Sequence, residues 1–370
     1  MKKLLFVFGT RPEAIKMAPI IHEAKKHPAI FDVVICVTGQ HKEMLQHVMD
    51  FFELKADIDL ALMKPNQTLF DITADALRGL EKVLTDQQPD LVLVQGDTTT
   101  AFAGALAAYY KKIKVAHIEA GLRSHDKYAP FPEEMNRKMA GVIADYHFPP
   151  TSIAAENLHK ENITENIFVT GNTVIDALLW AVEKTRATNS YGDLFPFLDH
   201  SKKIILVTGH RRENFGQPFE NICDALGYIS SSYPDVQIVY PVHLNPNVQN
   251  IVREKLSNKS NVFLIDPLDY PHLVWLMDKS NFVITDSGGI QEEAPSLGKP
   301  VLVMREVTER MEGVTAGTAL LVGTNKERII TEAEKLLNNT AHYQQMAKAV
   351  NPYGDGSSAA QIINALIKNL

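Results

Sequence analysis

Residues 204–213 read IILVTGHRRE, an apolar run that ends in glycine and is followed at once by histidine, two arginines and a glutamate. Residues 4–13 read LLFVFGTRPE and follow the same plan. A short apolar run closed by glycine is typical of a buried parallel strand. Ligands of open parallel sheets bind beyond the carboxyl ends of the strands. Each stretch therefore predicts the first strand of a domain, with a ligand-binding loop after it.

Short apolar runs alternate with helical patterns along most of the chain, which is typical of βαβ units. The predicted strands of the two halves are residues 4–8, 32–37, 91–95 and 114–118, then 204–209, 236–242, 262–265, 282–285 and 301–304. The helical pattern at 68–84 places on one face Leu69, Ile72, Ala76, Leu77, Leu80 and Val83. We therefore predict an α/β protein with two doubly wound, Rossmann-like domains that face a central cleft.

The domain boundary is predicted at the segment TNSYGDLFPFLDHSKK (188–203), which is rich in proline, aromatic and polar residues. We expect an N-terminal domain over residues 1–187 and a C-terminal domain over 188–356. The tail, 357–370, has the pattern of an amphipathic closing helix, which can pack back on the N-terminal domain.

Composition restricts the classes of partner. Of the 370 residues, 45% are hydrophobic and 22% are charged, which is ordinary for a folded protein. The net charge of −7 argues against nucleic acid or an anionic membrane as a partner. The first apolar run is too short for a signal peptide, and no run approaches the roughly 20 apolar residues of a membrane helix. The two cysteines, Cys36 and Cys223, predict neither a disulfide framework nor a metal site, so we expect a cytoplasmic protein.

A phosphate site is predicted in TDSGGIQEEAPSLGKPVLV (285–303), where a strand leads through two glycines into a short helix. The chain has no G-x-G-x-x-G after the first strand of either half and no G-x-x-x-x-G-K-[ST], so both common nucleotide fingerprints are absent. Backbone N–H groups of Ser287, Gly288 and Gly289 at a helix start can approach a diphosphate, with the positive end of the helix dipole behind them. The alternative is a serine-capped turn without a ligand.

Charged residues follow this cradle. One of Glu292 and Glu293 is a candidate to accept the ribose hydroxyls of a nucleotide, and Glu293 is our choice. Arg305 and Arg310 in the next loop are candidates to neutralise phosphate charge, unless they are merely solvated.

Ten motifs together resemble those of the non-hydrolysing UDP-N-acetylglucosamine 2-epimerases, which are similar in fold to GT-B glycosyltransferases. They cover nearly the whole chain: FGTRPEAIKMAP, TGQH, QGDTTT, HIEAGLRS, PFPEEMNR, TGNTVIDAL, TGHRREN, HLNPNV, DSGGIQEEAP and VTAGT. The resemblance implies reversible epimerisation at C2 of UDP-N-acetylglucosamine, giving UDP-N-acetylmannosamine. It implies elimination of UDP to a glycal and re-addition, with no cofactor or metal. It also implies a homodimer and a role in bacterial surface polysaccharide synthesis.

By resemblance, the acid/base candidates are Asp97, Glu119 and Glu133, and the residue that serves each face of C2 is left open. The alternatives are structural: Asp97 is a plausible N-cap before a helix, and Glu133 suits the first turn of one. His210 is expected to contact the diphosphate or to help UDP leave.

Arg11 and Lys16 are the cationic residues expected from the first domain, although Lys16 is also spaced to pair with Glu13 on a helix. The region that matches the second-substrate site of some relatives gives candidate allosteric residues Gln40, His41, Gln67, Glu134, Arg211 and His243. Asn66 stands where certain regulated relatives have arginine, so the sequence leaves allosteric activation open.

Three alternative functions share the predicted fold. A UDP-sugar-dependent GT-B glycosyltransferase needs an acceptor groove, and a hydrolysing epimerase needs water where UDP returns. A catalytically silent UDP-sugar sensor needs the cradle but no acid/base carboxylates. The presence of all three carboxylates favours the epimerase.

Overall fold

The computed structural model describes residues 1–39 and 42–370. It contains two compact units, one formed by Met1–Ala177 with Tyr353–Leu370 and the other by Leu178–Pro352. Helix Thr173–Ala187 begins in the first unit and continues into the second. The predicted domain boundary at residue 188 follows the end of this helix. The boundary between the two compact units lies inside the helix, between Ala177 and Leu178.

The strands are β1 (Lys2–Phe8), β2 (Phe31–Val37), β3 (Ile58–Asp59), β4 (Leu91–Gln95), β5 (Lys114–Ile118), β6 (Tyr146–Phe148), β7 (Lys203–Thr208), β8 (Val236–Pro241), β9 (Val262–Ile265), β10 (Phe282–Thr285), β11 (Val301–Val303) and β12 (Ala319–Leu321). The α-helices are α1 (Arg11–Lys25), α2 (Lys42–Phe51), α3 (Leu69–Gln87), α4 (Thr99–Tyr110), α5 (Glu133–Ile143), α6 (Ser152–Lys160), α7 (Thr173–Ala187), α8 (Gln217–Ser232), α9 (Pro246–Leu256), α10 (Tyr270–Lys279), α11 (Gly288–Ser296), α12 (Met311–Ala316), α13 (Lys326–Asn338), α14 (Thr340–Ala347) and α15 (Ser358–Asn369).

Each unit is built on a six-stranded sheet, with strand orders β3-β2-β1-β4-β5-β6 and β12-β11-β10-β7-β8-β9. All the strand pairs are parallel. The predicted α/β class with two Rossmann-like domains is therefore confirmed. The parallel order brings the carboxyl ends of β1, β4 and β5 together in the first unit, and those of β7 and β10 together in the second.

The central strands are buried on both faces because helices cover both faces of each sheet. All five residues of β4, LVLVQ, are buried. Helix α4 packs closely on this strand because Gly104 has no side chain, since a Cβ there would lie 2.9 Å from a methyl carbon of Val94. Helix α15 belongs to the first unit, where the backbone N–H of Ala359 donates to the carboxylate of Asp176 at 2.8 Å.

The structure adds strands that the sequence did not predict, namely β3, β6 and β12. They contain only two or three residues each, too few for a clear apolar run. The predicted face of α3 needs one correction, because Leu69 lies at the first residue of the helix and is exposed. No helix among the described residues is long and apolar enough to span a bilayer.

Two histidines are buried side by side in the first sheet. His117 on β5 and His147 on β6 are paired in register and are 0% and 2% exposed. Nε2 of His117 lies 2.7 Å from the carbonyl oxygen of Gly96. Among the described residues, Nδ1 of each ring has no hydrogen-bond partner. Burial lowers the pKa of both histidines from 6.5 to about 4.

We expect this pair to make folding stability depend on pH. Between pH 6.5 and 4 the unfolded chain binds protons that the folded chain does not, so stability is lost as the pH falls through this window. From pH 7 to 5 the loss is about 2 kcal/mol per histidine. Urea unfolding of the wild type and of His117→Gln at both pH values measures it, and the variant should lose less. The exposed His159→Gln is the control. An equal loss in wild type and His117→Gln would contradict this account.

Candidate active site

Glu119 is a buried carboxylate at the carboxyl edge of the first sheet. It directly follows β5, has a φ of 62° and is 7% exposed. Lys16 from α1 lies 2.6 Å from each of its carboxylate oxygens. Asn172 donates to Oε1 at 3.1 Å, and Gln95 donates to Oε2 through a short hydrogen bond. A buried carboxylate held by one cation and two amides is fixed in position.

Asp97 lies beside this group, two residues after the end of β4. Its Oδ2 is 2.9 Å from Arg137 of α5. Although 32% of its side chain is exposed, burial raises the pKa of Asp97. The charge of Arg137 opposes this increase, and the charges of Glu119 and Glu133 add to it. Asp97 is not the N-cap considered above, because the Thr98 side chain caps α4 by accepting from Ala101 N–H at 3.0 Å.

Glu133 and Glu134 begin α5 but have different environments. Glu133 is half-buried and close enough to Asp97 to influence its pKa. Glu134 is fully buried, and its two oxygens accept the backbone N–H groups of Ser124 and His125 at 3.0 and 3.2 Å. Glu134 therefore holds the loop after β5.

Lys16 does not pair with Glu13 as the helical spacing allowed. The carboxylate of Glu13 is 1% exposed and accepts the N–H groups of Gly9 and Thr10 at 3.0 and 2.8 Å. It also accepts the hydroxyl of Thr98 at 2.6 Å. Glu13 thus connects the loop after β1 to the loop after β4, and Lys16 extends to Glu119 instead. Arg11 is half-buried at the first position of α1.

In the second unit, the loop after β7 is fixed by Asp286, which follows β10. Asp286 is fully buried, and its Oδ2 accepts the N–H groups of His210 and Arg211 at 2.8 and 2.9 Å. The guanidinium of Arg211 donates to the carbonyl oxygen of Asp286 at 2.9 Å. Arg211, named above as a candidate allosteric residue, therefore supports the loop. The His210 ring stacks on His243 with centroids 5.1 Å apart.

The predicted phosphate cradle lies at the start of α11, with Ser287 as its N-cap. The Ser287 hydroxyl makes no capping hydrogen bond, and its N–H donates to Thr285 Oγ1 at 2.9 Å. Gly288 lies against the guanidinium of Arg310, since a Cβ there would be 3.4 Å from the central carbon of that group. Arg310 is therefore held at the helix N-terminus, a position that suits an anionic ligand.

Acidic and aromatic side chains surround the cradle. Nε of Arg310 donates to Glu292 at 2.7 Å, and the hydroxyl of Tyr270 donates to Glu293 at 3.2 Å. Both glutamates are buried. Glu292 thus orients an arginine, which leaves Glu293 as our candidate for the ribose. Arg305 is 7% exposed and lies 2.9 and 2.8 Å from the carboxylates of Glu213 and Glu309, so it supports the loop rather than the phosphate position.

The remaining candidate allosteric residues have mixed outcomes. Gln67 stabilises the loop in which it lies. Its side chain accepts a hydrogen bond from the backbone N–H of Lys64 at 2.8 Å and donates one to the carbonyl oxygen of Leu62 at 2.9 Å. Nδ1 of His243 accepts the N–H of Asn245 at 3.1 Å. Gln40 and His41 lie outside the described residues. Allosteric binding stays a prediction.

A cavity of about 980 Å³ in the second unit contains none of the predicted site residues. It lies at the amino end of β7, beside the stacked rings of Phe195 and Trp275. A large volume alone does not identify an active site. The titratable residues described above, including Asp97 and Glu119, do not line this cavity.

The sequence did not identify four side chains that organise these sites: Gln95, Arg137, Asn172 and Asp286. Gln95 and Asp286 carried a usable signal, because each is a polar residue at the carboxyl end of a buried strand. Arg137 and Asn172 had no such signal, since they lie far along the chain from the residues they contact.

Comparison with known proteins agrees with this geometry. The family model described as UDP-N-acetylglucosamine 2-epimerase matches residues 22–367. The chain is 54% identical to UDP-N-acetylglucosamine 2-epimerase of Escherichia coli K12, over 99% of each chain. It is also 54% identical to that of Campylobacter jejuni, over 100% of this chain and 98% of the relative.

Solved structures give the same result. The Neisseria meningitidis UDP-GlcNAc 2-epimerase bound to UDP-GlcNAc has a TM-score of 0.91 and 50% identity, over 99% of this chain and 100% of that one. The Methanocaldococcus jannaschii enzyme in complex with UDP-GlcNAc and UDP has a TM-score of 0.82 and 36% identity, with the same coverage. With the fold, the motifs and these relatives in agreement, the chain belongs to the UDP-N-acetylglucosamine 2-epimerase family.

Proposed function

We propose that this protein is an isomerase that interconverts UDP-N-acetylglucosamine and UDP-N-acetylmannosamine by epimerisation at C2. The observation that carries the proposal is the buried Glu119 carboxylate, which Lys16, Gln95 and Asn172 hold beside Asp97. The named activity of the relatives supports it.

The chemistry requires more than a base. The C2 proton of the sugar has no adjacent ketone to acidify it, so simple deprotonation and return is unfavourable. We infer that a base removes this proton while the C1–O bond breaks. The electron pair forms the C1=C2 double bond of a glycal, and UDP leaves as an anion. Protonation of the opposite face of C2 and return of the diphosphate oxygen to C1 give the epimer.

The N-terminal unit supplies groups for both proton transfers. Glu119 is held by a cation and two amides, which favours the carboxylate form that a base needs. Asp97 has a raised pKa, which favours the protonated form that an acid needs. Glu133 influences the pKa of Asp97 and is the third candidate. Arg11 and Lys16 supply positive charge on the same unit.

The C-terminal unit supplies the UDP site. Backbone N–H groups of Ser287, Gly288 and Gly289 and the guanidinium of Arg310 bind the diphosphate, and Glu293 binds the ribose. His210 donates a hydrogen bond to the diphosphate, which stabilises the negative charge that develops as UDP leaves.

The finer assignments rest on the family resemblance. They are a cytoplasmic location, a homodimer and the supply of a surface-polysaccharide precursor. Sedimentation of the purified protein tests the dimer, and a monomer at working concentration would contradict it.

Incubation of the purified protein with UDP-N-acetylglucosamine alone, followed by proton NMR, tests the activity. We expect UDP-N-acetylmannosamine to appear without an acceptor. Free UDP with N-acetylmannosamine would instead indicate a hydrolysing epimerase. UDP binding with unchanged substrate would contradict the proposal and favour a transferase or a sensor.

Replacing Glu119 by glutamine should reduce turnover by roughly 10²- to 10⁴-fold, because an amide cannot accept the C2 proton. The affinity for UDP, measured by calorimetry, should stay nearly unchanged, since Glu119 does not belong to the UDP site. Glu156→Gln, an exposed position in α6, is the matched control. Full activity of Glu119→Gln would remove this residue from the mechanism.

Replacing Lys16 by methionine should remove the positive charge beside Glu119 and so raise the pKa of that carboxyl group. Because a base works only when it is deprotonated, the fall of activity at low pH should move to higher pH. Turnover at neutral pH should fall by about 10²-fold. A pH–rate profile measures both effects, with the exposed Lys25→Met on the same helix as the control. An unchanged profile would show that the ion pair does not tune Glu119.

A further inference from the structure

Asp286 holds the loop after β7 through only one of its two carboxylate oxygens. Its Oδ2 already accepts two backbone N–H groups, from His210 and Arg211. Its Oδ1 is buried and has no hydrogen-bond partner among the described residues. An unsatisfied carboxylate oxygen in the protein interior costs free energy. Oδ1 of Asp286 is therefore available to accept a hydrogen bond at this site.

The His210 ring lies near this oxygen, with its Nδ1 3.7 Å away. This distance is too long for a hydrogen bond, and a displacement of about 1 Å would bring it to the usual range. The ring has room to make this movement because 48% of the side chain is exposed. The backbone below it is fixed, since the buried Tyr240 hydroxyl donates to the carbonyl oxygen of Gly209 at 2.8 Å.

The charges around His210 favour different protonation states. Burial lowers the pKa of His210, and His243 and Arg211 lower it further. Asp286 is the one of these three neighbours that raises the pKa. The His210 ring lies near Asp286, which follows β10, and stacks on His243, which follows β8. Strands β10 and β8 are the two neighbours of β7 in the sheet. A protonated His210 therefore depends on Asp286.

We propose that Asp286 is the positioning residue for His210: its Oδ1 accepts a hydrogen bond from Nδ1–H when UDP binds, which directs Nε2–H of the protonated ring toward the diphosphate. This inference rests on the proposed function, in which His210 stabilises the departing UDP. It assigns the buried carboxylate two simultaneous tasks. Oδ2 holds the backbone of the loop and Oδ1 holds the ring that the loop presents.

Asp286→Asn separates the two tasks. The amide oxygen can still accept the two backbone N–H groups, so the NH₂ group then faces Nδ1. This NH₂ group donates a hydrogen bond where the carboxylate oxygen accepted one. The change disfavours the protonated His210 ring and reverses which ring nitrogen carries the proton in the neutral form. Asp266→Asn is the matched control, since Asp266 also follows a strand of this sheet, β9, but is exposed.

The first measurement is the ¹⁵N NMR spectrum of histidine-labelled protein with UDP, in which His210→Gln assigns the ring signal. For the wild type we expect the neutral ring to carry its proton on Nδ1. In Asp286→Asn we expect the proton on Nε2 and a pKa lower by about 1 unit or more. A wild-type ring with its proton on Nε2, or an unchanged pKa in the variant, would overturn the proposal. This readout needs no turnover, so it is separable from the failure of the proposed activity.

The second measurement is the pH–rate profile of epimerisation. If the protonated His210 ring assists UDP departure, activity should fall as the pH rises and the ring loses its proton. In Asp286→Asn this fall should occur at lower pH than in the wild type. The loss near neutral pH should be about tenfold or more. In the His210→Gln background the same substitution should have little further effect, because both act through one ring. Equal effects in both backgrounds would show that Asp286 acts only on the loop.

Discussion

The ion pair between Lys16 and Glu119 is the interaction on which the N-terminal site depends. Burying a carboxylate is unfavourable unless a cation and hydrogen bonds compensate for lost water. Lys16, Gln95 and Asn172 provide this compensation from α1, β4 and the start of α7. The pair therefore joins three parts of the chain at one point. The same contacts fix the position of the Glu119 carboxylate.

The parallel sheet explains why these groups meet. Neighbouring strands end at the same edge, so residues that immediately follow β4 and β5 are brought close without any special loop. Glu119 directly follows β5 and Asp97 lies two residues beyond β4, and the two carboxylates have different surroundings. Two carboxylates with different partners are what a proton removal and a proton return require. In the second sheet the same rule places Asp286 beside the loop that carries His210.

The sequence predicted the fold where the physical signal is strong. The central strands are continuous apolar runs, and β4, β5, β9 and β10 were predicted at their observed limits. The edge strands β3, β6 and β12 were missed because so few residues carry little periodic information. Glu119 directly follows β5 and was a candidate through the family resemblance, whereas Asp286 directly follows β10 and was missed although the end of that apolar run is visible in the sequence.

Partnerships between distant residues were not visible. Lys16 was spaced to pair with Glu13, but that carboxylate is occupied by two backbone N–H groups and a threonine hydroxyl. Lys16 pairs instead with Glu119, which is 103 residues away along the chain. Asn172 is likewise 53 residues from Glu119. Only the three-dimensional arrangement shows which polar groups compensate a buried charge.

The most direct test of the account is whether the protein exchanges the C2 proton with solvent. The wild-type protein is incubated with UDP-N-acetylglucosamine in D₂O, and deuterium at C2 is followed by NMR. The account predicts deuterium at C2 in both UDP-N-acetylglucosamine and UDP-N-acetylmannosamine at equilibrium. Formation of the epimer with the original proton retained at C2 would contradict proton transfer by solvent-exchanging carboxylates.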